Sequence, residues 1–245
     1  MSQRRKERIR ALLKAIETGD PEGISVVDEA RYIQHNPQTH EGSEGLAALF
    51  ARLATTNPRV ALPRVFSDGD YVFAHTEYDF ATRRIGFEVF RFEGDHAVEH
   101  WDNIQPRRGP NPAGRSMVDG PTEATDRAAT EVHRATVQGF LAELVAGRAE
   151  AVDTYVAADL RQHHPELLDG RQALRGWLAT VRLQRVHRVL AEGSFVLAVC
   201  EGHLGEVHTS FYFLFRLAGG RIVEQWSTVE KVPPPSEWKN DNGKF

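Results

Sequence analysis

Apolar residues at Ile9, Leu12, Leu13 and Ile16 keep the i, i+3, i+4, i+7 spacing of a helix with one buried face, and Gly19-Asp20-Pro21 halts it. A short helical stretch is predicted near 24–29, followed by an extended segment carrying Gln34-His35. Ser43 is suited to cap the next helix, whose stripe is Leu46, Leu49, Phe50 and Leu53. The period then changes to that of strands, with runs at 59–67, 71–80, 85–93 and 96–105. Asp68-Gly69 and Glu93-Gly94-Asp95 supply hairpin turns between them. The same order returns downstream: a long helix over 123–146 with Phe140, Leu141, Leu144 and Val145, a helix over 173–181, and strands at 182–190, 195–204, 207–217 and 221–232. The run Phe211-Tyr212-Phe213-Leu214-Phe215 reads as a strand buried on both faces.

The repetition extends to residue identity. Tyr32-Ile33-Gln34-His35-Asn36-Pro37 returns as Leu160-Arg161-Gln162-His163-His164-Pro165, with Gly42 meeting Gly170, Leu46 meeting Leu174 and Phe50 meeting Leu178. Further on, Phe90-Arg91-Phe92 and Val98-Glu99-His100-Trp101 return as Phe215-Arg216-Leu217 and Val223-Glu224-Gln225-Trp226. Two matched blocks in the same order identify a tandem duplication. Helices followed by hairpin-linked strands make each copy an α+β module with a mostly antiparallel sheet. The expected architecture is two tandem cone-shaped α+β barrels, each a curved sheet closed by helices, packed as an intramolecular pseudo-dimer. The boundaries read as a first module over 1–110, a linker over 111–122 within the Pro- and Gly-rich stretch 106–122, a second module over 123–235, and a loosely held polar tail over 236–245.

Composition narrows the function class. A hydrophobic fraction of 41% and a charged fraction of 26% are those of a globular protein, and a formal net charge of −4 gives no basic face for nucleic acid. The basic opening Arg4, Arg5, Lys6, Arg8 and Arg10 is short and reads as a solvated helix face. No apolar run approaches the ~20 residues that span a bilayer, and the N-terminus has no apolar signal core, so the expectation is a soluble cytoplasmic chain. Cys200 is the sole cysteine and lies in an apolar run, where a thiol behaves as a small hydrophobe.

The blocks Tyr32-Ile33-Gln34-His35-Asn36-Pro37, Gly45-Leu46, Phe90-Arg91-Phe92 and Val98-Glu99-His100-Trp101-Asp102 together resemble the SnoaL-like polyketide cyclase branch of the nuclear transport factor 2-like superfamily. Met117-Val118-Asp119-Gly120 resembles the stretch that follows this motif in single-module members. The resemblance covers nearly all of the first copy and, more weakly, the second. It implies a cone with a deep pocket and no obligatory metal or organic cofactor. It also implies an acidic residue acting as general acid/base, matched here by Asp102. In the second copy Ser227 stands opposite Asp102. The fold hosts isomerases, aldol-type cyclases, epoxide hydrolases and dehydratases, so it does not select a reaction.

Strand alternation places Val98, His100, Asp102 and Ile104 on one face and Glu99, Trp101 and Asn103 on the other. A carboxyl in a dry pocket is expected to titrate high, toward the range useful for proton transfer. The catalytic candidates are therefore Asp102, with His35 or His75 assisting. Tyr32 and His163, from the repeated motif, and Glu88 and His100 are candidates to hold substrate. A salt bridge at Asp102, and a fastening role for Gln34-His35, are the competing structural readings. Eleven histidines are present, but none forms a helical i, i+4 pair, so no metal site is expected. No phosphate loop, nucleophile elbow or dinucleotide fingerprint is present. The leading functional expectation is a cofactor-independent acid/base enzyme on a small or medium apolar carbonyl compound, by aldol-type condensation, isomerisation or hydration. The alternative is a non-catalytic pocket or scaffold protein, and in either case a monomer or weak homodimer without nucleic-acid or membrane partners.

Overall fold

The computed structural model describes residues 1–28 and 30–245, without the side chains of 42–44, 46 and 47. The expected Ser43 cap, the Leu46 position and the end of the 24–29 helix at Glu29 lie outside the described residues. The chain divides into two compact units, the first comprising Met1–Pro106 with Val232–Phe245 and the second Arg107–Lys231.

In the first unit, helix α1 (Ser2–Thr18) buries Ile9, Leu12, Leu13 and Ile16, and Gly19 ends it in the left-handed region at φ 71. Helix α2 (Pro21–Ile24) starts earlier than expected, because the residues that stop one helix begin another. Asp20 accepts from the Glu22 N–H as N-cap, and Pro21 fits the first turn, where no N–H is needed. Strand β1 (Ile33–Gln34) and helix α3 (Gly42–Ala54) precede strands β2 (Arg59–Asp68), β3 (Tyr71–Asp79), β4 (Arg83–Glu93) and β5 (His96–Pro106). Their order in the sheet is β1-β5-β4-β3-β2, with β1 parallel to β5 and the other pairs antiparallel. The α1 stripe packs on Val72, Ala74, Phe90 and Phe92, which share the helix-covered face of the sheet.

The second unit repeats this plan. Helix α4 (Thr130–Val145) starts later than expected, since Asp126 adopts φ 53 and a 3-10 turn fills Arg127–Ala129. Helix α5 (Ala151–Tyr155), strand β6 (Val156–Gln162) and helix α6 (Arg171–Leu178) lead to β7 (Val181–Glu192), β8 (Phe195–Leu204), β9 (Val207–Ala218) and β10 (Arg221–Lys231). The sheet order is β6-β10-β9-β8-β7, with β6 parallel to β10. Phe211 through Phe215 are all buried, as the unbroken apolar run requires. Each unit is thus a curved five-stranded α+β cone, as expected, with its sheet open at the edges. Among the described residues, no helix is long and apolar enough to cross a membrane.

The expected linker and loose tail are both corrected. Asn111 donates to the Gln162 carbonyl at 2.7 Å and Trp226 Nε1 to the Asp119 carbonyl at 2.9 Å, which ties 107–119 into the second unit. At the other end, Asn240 donates to the Asn36 and Thr39 carbonyls, Asn242 to the Gln34 carbonyl, and the Lys239 N–H to the Pro37 carbonyl. The extended segments at 34–39 and 162–164 carry carbonyls that need donors, and asparagine side chains supply them. Polar composition here marks hydrogen bonding, not solvation.

Candidate functional site

The site is built on the helix-covered face of the first sheet. On β5, alternation puts His100 and Asp102 on this face, and antiparallel pairing sets Glu88 of β4 directly beside Asp102 and Phe90 beside His100. Ala74 and Thr76 of β3 sit opposite Glu88 and Gly86. Gly86 makes room for the acid: a Cβ there would lie 2.5 Å from Glu88 Oε1 and 2.6 Å from Thr76 Oγ1. Parallel pairing brings Gln34 of β1 level with His100.

Hydrogen bonds fix the protons. Gln34 Oε1 accepts the Asn36 N–H at 2.9 Å, so it also accepts from His100 Nδ1 at 2.9 Å. That leaves Nε2 of His100 facing Glu88 Oε2 at 2.8 Å, with one proton to share between them. Tyr78 donates to the other Glu88 oxygen at 2.8 Å. Asp102 Oδ2 accepts from Asn36 Nδ2 at 2.6 Å, and Oδ1 accepts from Lys244 Nζ at 3.2 Å. The His100 ring stacks with Phe90 at 4.4 Å and, farther off, with Tyr32 at 6.3 Å. Glu88, Asp102, His100, Tyr32 and Tyr78 are all buried.

Burial pushes both carboxyls upward, and their neighbours separate them. Glu88 is raised above the ordinary range by desolvation, against the opposing pull of its His100 contact. For Asp102, desolvation is again the largest influence and pushes upward, but the Lys244 and His100 charges and the Asn36 hydrogen bond together outweigh it. Asp102 is therefore held below the ordinary range, the reverse of the expectation for a dry pocket. Burial first, then the negative charge of Glu88, raises both Tyr32 and Tyr78. Glu88, His100 and Asp102 bring three donor atoms within 4.8 Å of one another, a set that helical spacing rules do not detect. Their lone pairs are engaged by Lys244, Asn36, Tyr78 and the shared proton, so the set as folded suits proton transfer better than a cation.

The expected helpers of Asp102 lie elsewhere. His35 is on the other face of β5, stacked on Trp101 at 4.6 Å, its ring nitrogens 3.0 Å from Glu99 Oε1 and from the Gly243 carbonyl. Glu99 in turn accepts from Arg91 at 2.6 Å. The second unit has the same assembly: His163 stacks on Trp226 at 4.6 Å and reaches Glu224 and the Ser116 carbonyl, while Arg216 donates to Glu224 at 2.8 Å. A geometry repeated in both units fastens the extended segment to the sheet, so His35 and His163 are placed as supports. His75 is also on the face away from Asp102, fully buried, with Nδ1 3.1 Å from Arg64 and its ring edge-on to Phe87. Tyr32, Glu88 and His100 do gather around Asp102. Gln34, Asn36, Tyr78 and Lys244 were not anticipated. Alternation along Gln34-His35-Asn36 is the signal that would have put the first two on the Asp102 face.

In the second unit Phe213 pairs with Ser227 and Phe215 with Gln225, the positions held in the first by Glu88 with Asp102 and Phe90 with His100. Leu144, Leu174 and Leu178 close over Phe213 and Gln225 in an apolar crevice. All three ionisable groups of the first site are thus replaced.

The sequence matches the SnoaL-like domain family over residues 9–100 and again over 137–225. Comparison with curated proteins gives no match. Similar solved structures include a proposed ketosteroid isomerase from Kribbella flavida DSM 17836, at 21% identity and TM-score 0.39 over 44% of this chain and 85% of that one. A second is an LEH-like epoxide hydrolase from M. tuberculosis, at 21% identity and TM-score 0.35 over 41% and 84%. A third is IdmH from Streptomyces antibioticus, a proposed polyketide cyclase, at 19% identity and TM-score 0.35 over 40% and 91%. At these levels the likeness concerns the fold alone.

Proposed function

The chain belongs to the SnoaL-like domain family, carrying two copies of that domain, and from that premise we propose that its first unit is a general acid/base enzyme. The observation that carries the reading is a buried pair of carboxyls with opposite tendencies: Asp102 held ionised beside Lys244, and Glu88 inclined to keep a proton against His100. Two neighbouring acids whose surroundings separate them supply a base and an acid at one pH. Asp102 takes a proton from carbon next to a carbonyl, and the proton shared by Glu88 and His100 meets the developing oxygen anion. Such groups contribute roughly 10²–10⁴-fold in rate. The substrate class is a small or medium apolar carbonyl compound undergoing aldol-type closure, isomerisation or hydration, and these residues need no organic cofactor for it. The second unit, with Phe213, Gln225 and Ser227 at the equivalent positions, has no such pair and serves a structural role.

The test is α-proton exchange and product formation in deuterated water across a panel of β-keto compounds and epoxides. Asp102→Asn is expected to remove both while leaving the circular dichroism spectrum unchanged; undiminished turnover rejects the assignment. A second reading, a non-catalytic pocket, is favoured by the fact that both oxygens of each carboxyl already have protein partners. Binding across the panel without exchange in the unaltered protein decides for it.

A further inference from the structure

Asp102 belongs to the first copy of the repeat, yet the cation facing it comes from the segment that follows the last strand of the second copy. Lys244 is only 2% exposed, and its Nζ lies 3.2 Å from Asp102 Oδ1. Its approach is fixed by the residues just before it. Asn240 and Asn242 hold the carbonyls of Asn36, Thr39 and Gln34, and the Gly243 carbonyl faces His35 Nδ1 at 3.0 Å. The segment gripped in this way is the one whose Gln34 and Asn36 side chains orient His100 and Asp102.

The second unit supplies an internal comparison. There the Ser116 carbonyl faces His163 Nδ1 as the Gly243 carbonyl faces His35, and Asn111 grips the Gln162 carbonyl. The residue after Ser116 is Met117, buried at 2% exposure, where the residue after Gly243 is Lys244. Ser227 stands where Asp102 does. Both ends of the ion pair are therefore absent from the second unit while the fastening around it is kept. A lysine needed only to seat the segment would not be expected to vanish together with its acid.

We propose that Lys244 is a positioning residue of the first unit's site, whose ammonium sets Asp102, and not Glu88, as the base. This rests on the acid/base reading of that site. The groups facing Asp102 are Lys244 from the C-terminal segment, Glu88 from β4, His100 from β5, and the Tyr32 and Tyr78 side chains. Lys244 brings the one ammonium group of that set, 3.2 Å from Asp102 Oδ1.

The experiment is a carbon-13 NMR titration of the Asp102 carboxyl in the full-length protein, assigned by its loss in Asp102→Asn. Lys244→Gln is expected to move the titration midpoint upward, whereas Lys244→Arg keeps it near the unaltered protein's. The His35 ring resonances, which report the seated Gly243 carbonyl, stay unchanged in both. An unmoved midpoint in Lys244→Gln overturns the proposal. So does an equal upward move in Lys244→Gln and Lys244→Arg, since the effect would then not be one of charge. Because the readout is the resting protein's titration, a failure of Asp102→Asn to affect turnover would sink the enzymatic reading and leave this result standing.

Discussion

Removing the carboxylate of Glu224 is expected to cost more stability than removing its counterpart Glu99. The Glu224 side chain is 1% exposed and accepts from His163 Nε2 at 2.9 Å and Arg216 Nε at 2.8 Å. Desolvation opposes its charge most, but the hydrogen bonds and charges of His163 and Arg216 together outweigh it and hold the carboxyl below the ordinary range. Glu224→Ala strands the buried His163 and leaves the partly exposed Arg216 without its carboxylate, and breaking a buried ion pair from one side costs about 3–5 kcal/mol. The Glu99 side chain is 16% exposed, with His35 and Arg91 as its partners. Partial access to water replaces some of what is lost there, so Glu99→Ala is expected to cost about 1–2 kcal/mol. Urea melts followed by far-ultraviolet circular dichroism and tryptophan fluorescence measure both. Trp226, stacked on His163, reports the second unit directly. A loss below about 1 kcal/mol in Glu224→Ala, or a larger loss in Glu99→Ala, refutes the view that burial of this carboxylate decides its contribution.

Two further outcomes follow from the same structure. Gly86→Ala puts a methyl group 2.5 Å from Glu88 Oε1 and 2.8 Å from the Tyr78 ring, so it should cost about 1–3 kcal/mol by overpacking; a urea midpoint within error of the unaltered protein would mean Glu88 has slack the packing denies. Asp102 and Glu224 are both held below their unfolded values, so their stabilisation is full above the ordinary carboxylate range and drains away as pH falls through it. Glu88, raised by burial, has the opposite sign: its contribution is full below that range and lost as pH rises through its folded value. Urea melts over an acid pH series should therefore show a shallower acid loss for Glu224→Ala than for the unaltered protein, and parallel profiles would contradict this.

The strands and the duplication were legible because they rest on periodicity, which burial enforces residue by residue. The site was legible only in part, and the division has a physical cause. What recurs between the copies is the Arg91-Glu99-His35-Trp101 assembly and its counterpart Arg216-Glu224-His163-Trp226, so the motif that identifies the family marks a fastening. The proposed chemistry sits where the copies differ, at Glu88, His100 and Asp102 against Phe213, Gln225 and Ser227. Reading His35 as a helper of Asp102 confused the two. Applying alternation through Gln34-His35-Asn36 separates them at once, since neighbours on an extended chain face opposite ways. Lys244 carried no signal of that kind. Its relation to Asp102 is made by tertiary hydrogen bonds from Asn240 and Asn242, and a polar stretch without periodicity looks like solvent-facing chain until its acceptors are known.

The repeat in the gene and the unit in space are out of phase. A cut after Pro106 yields a first module stripped of the residues at 232–245 that belong to its body, and a second whose trailing end has no home. The second copy, with Phe213, Gln225 and Ser227 at the matching positions, carries on its final strand the stretch that completes the body of the first unit.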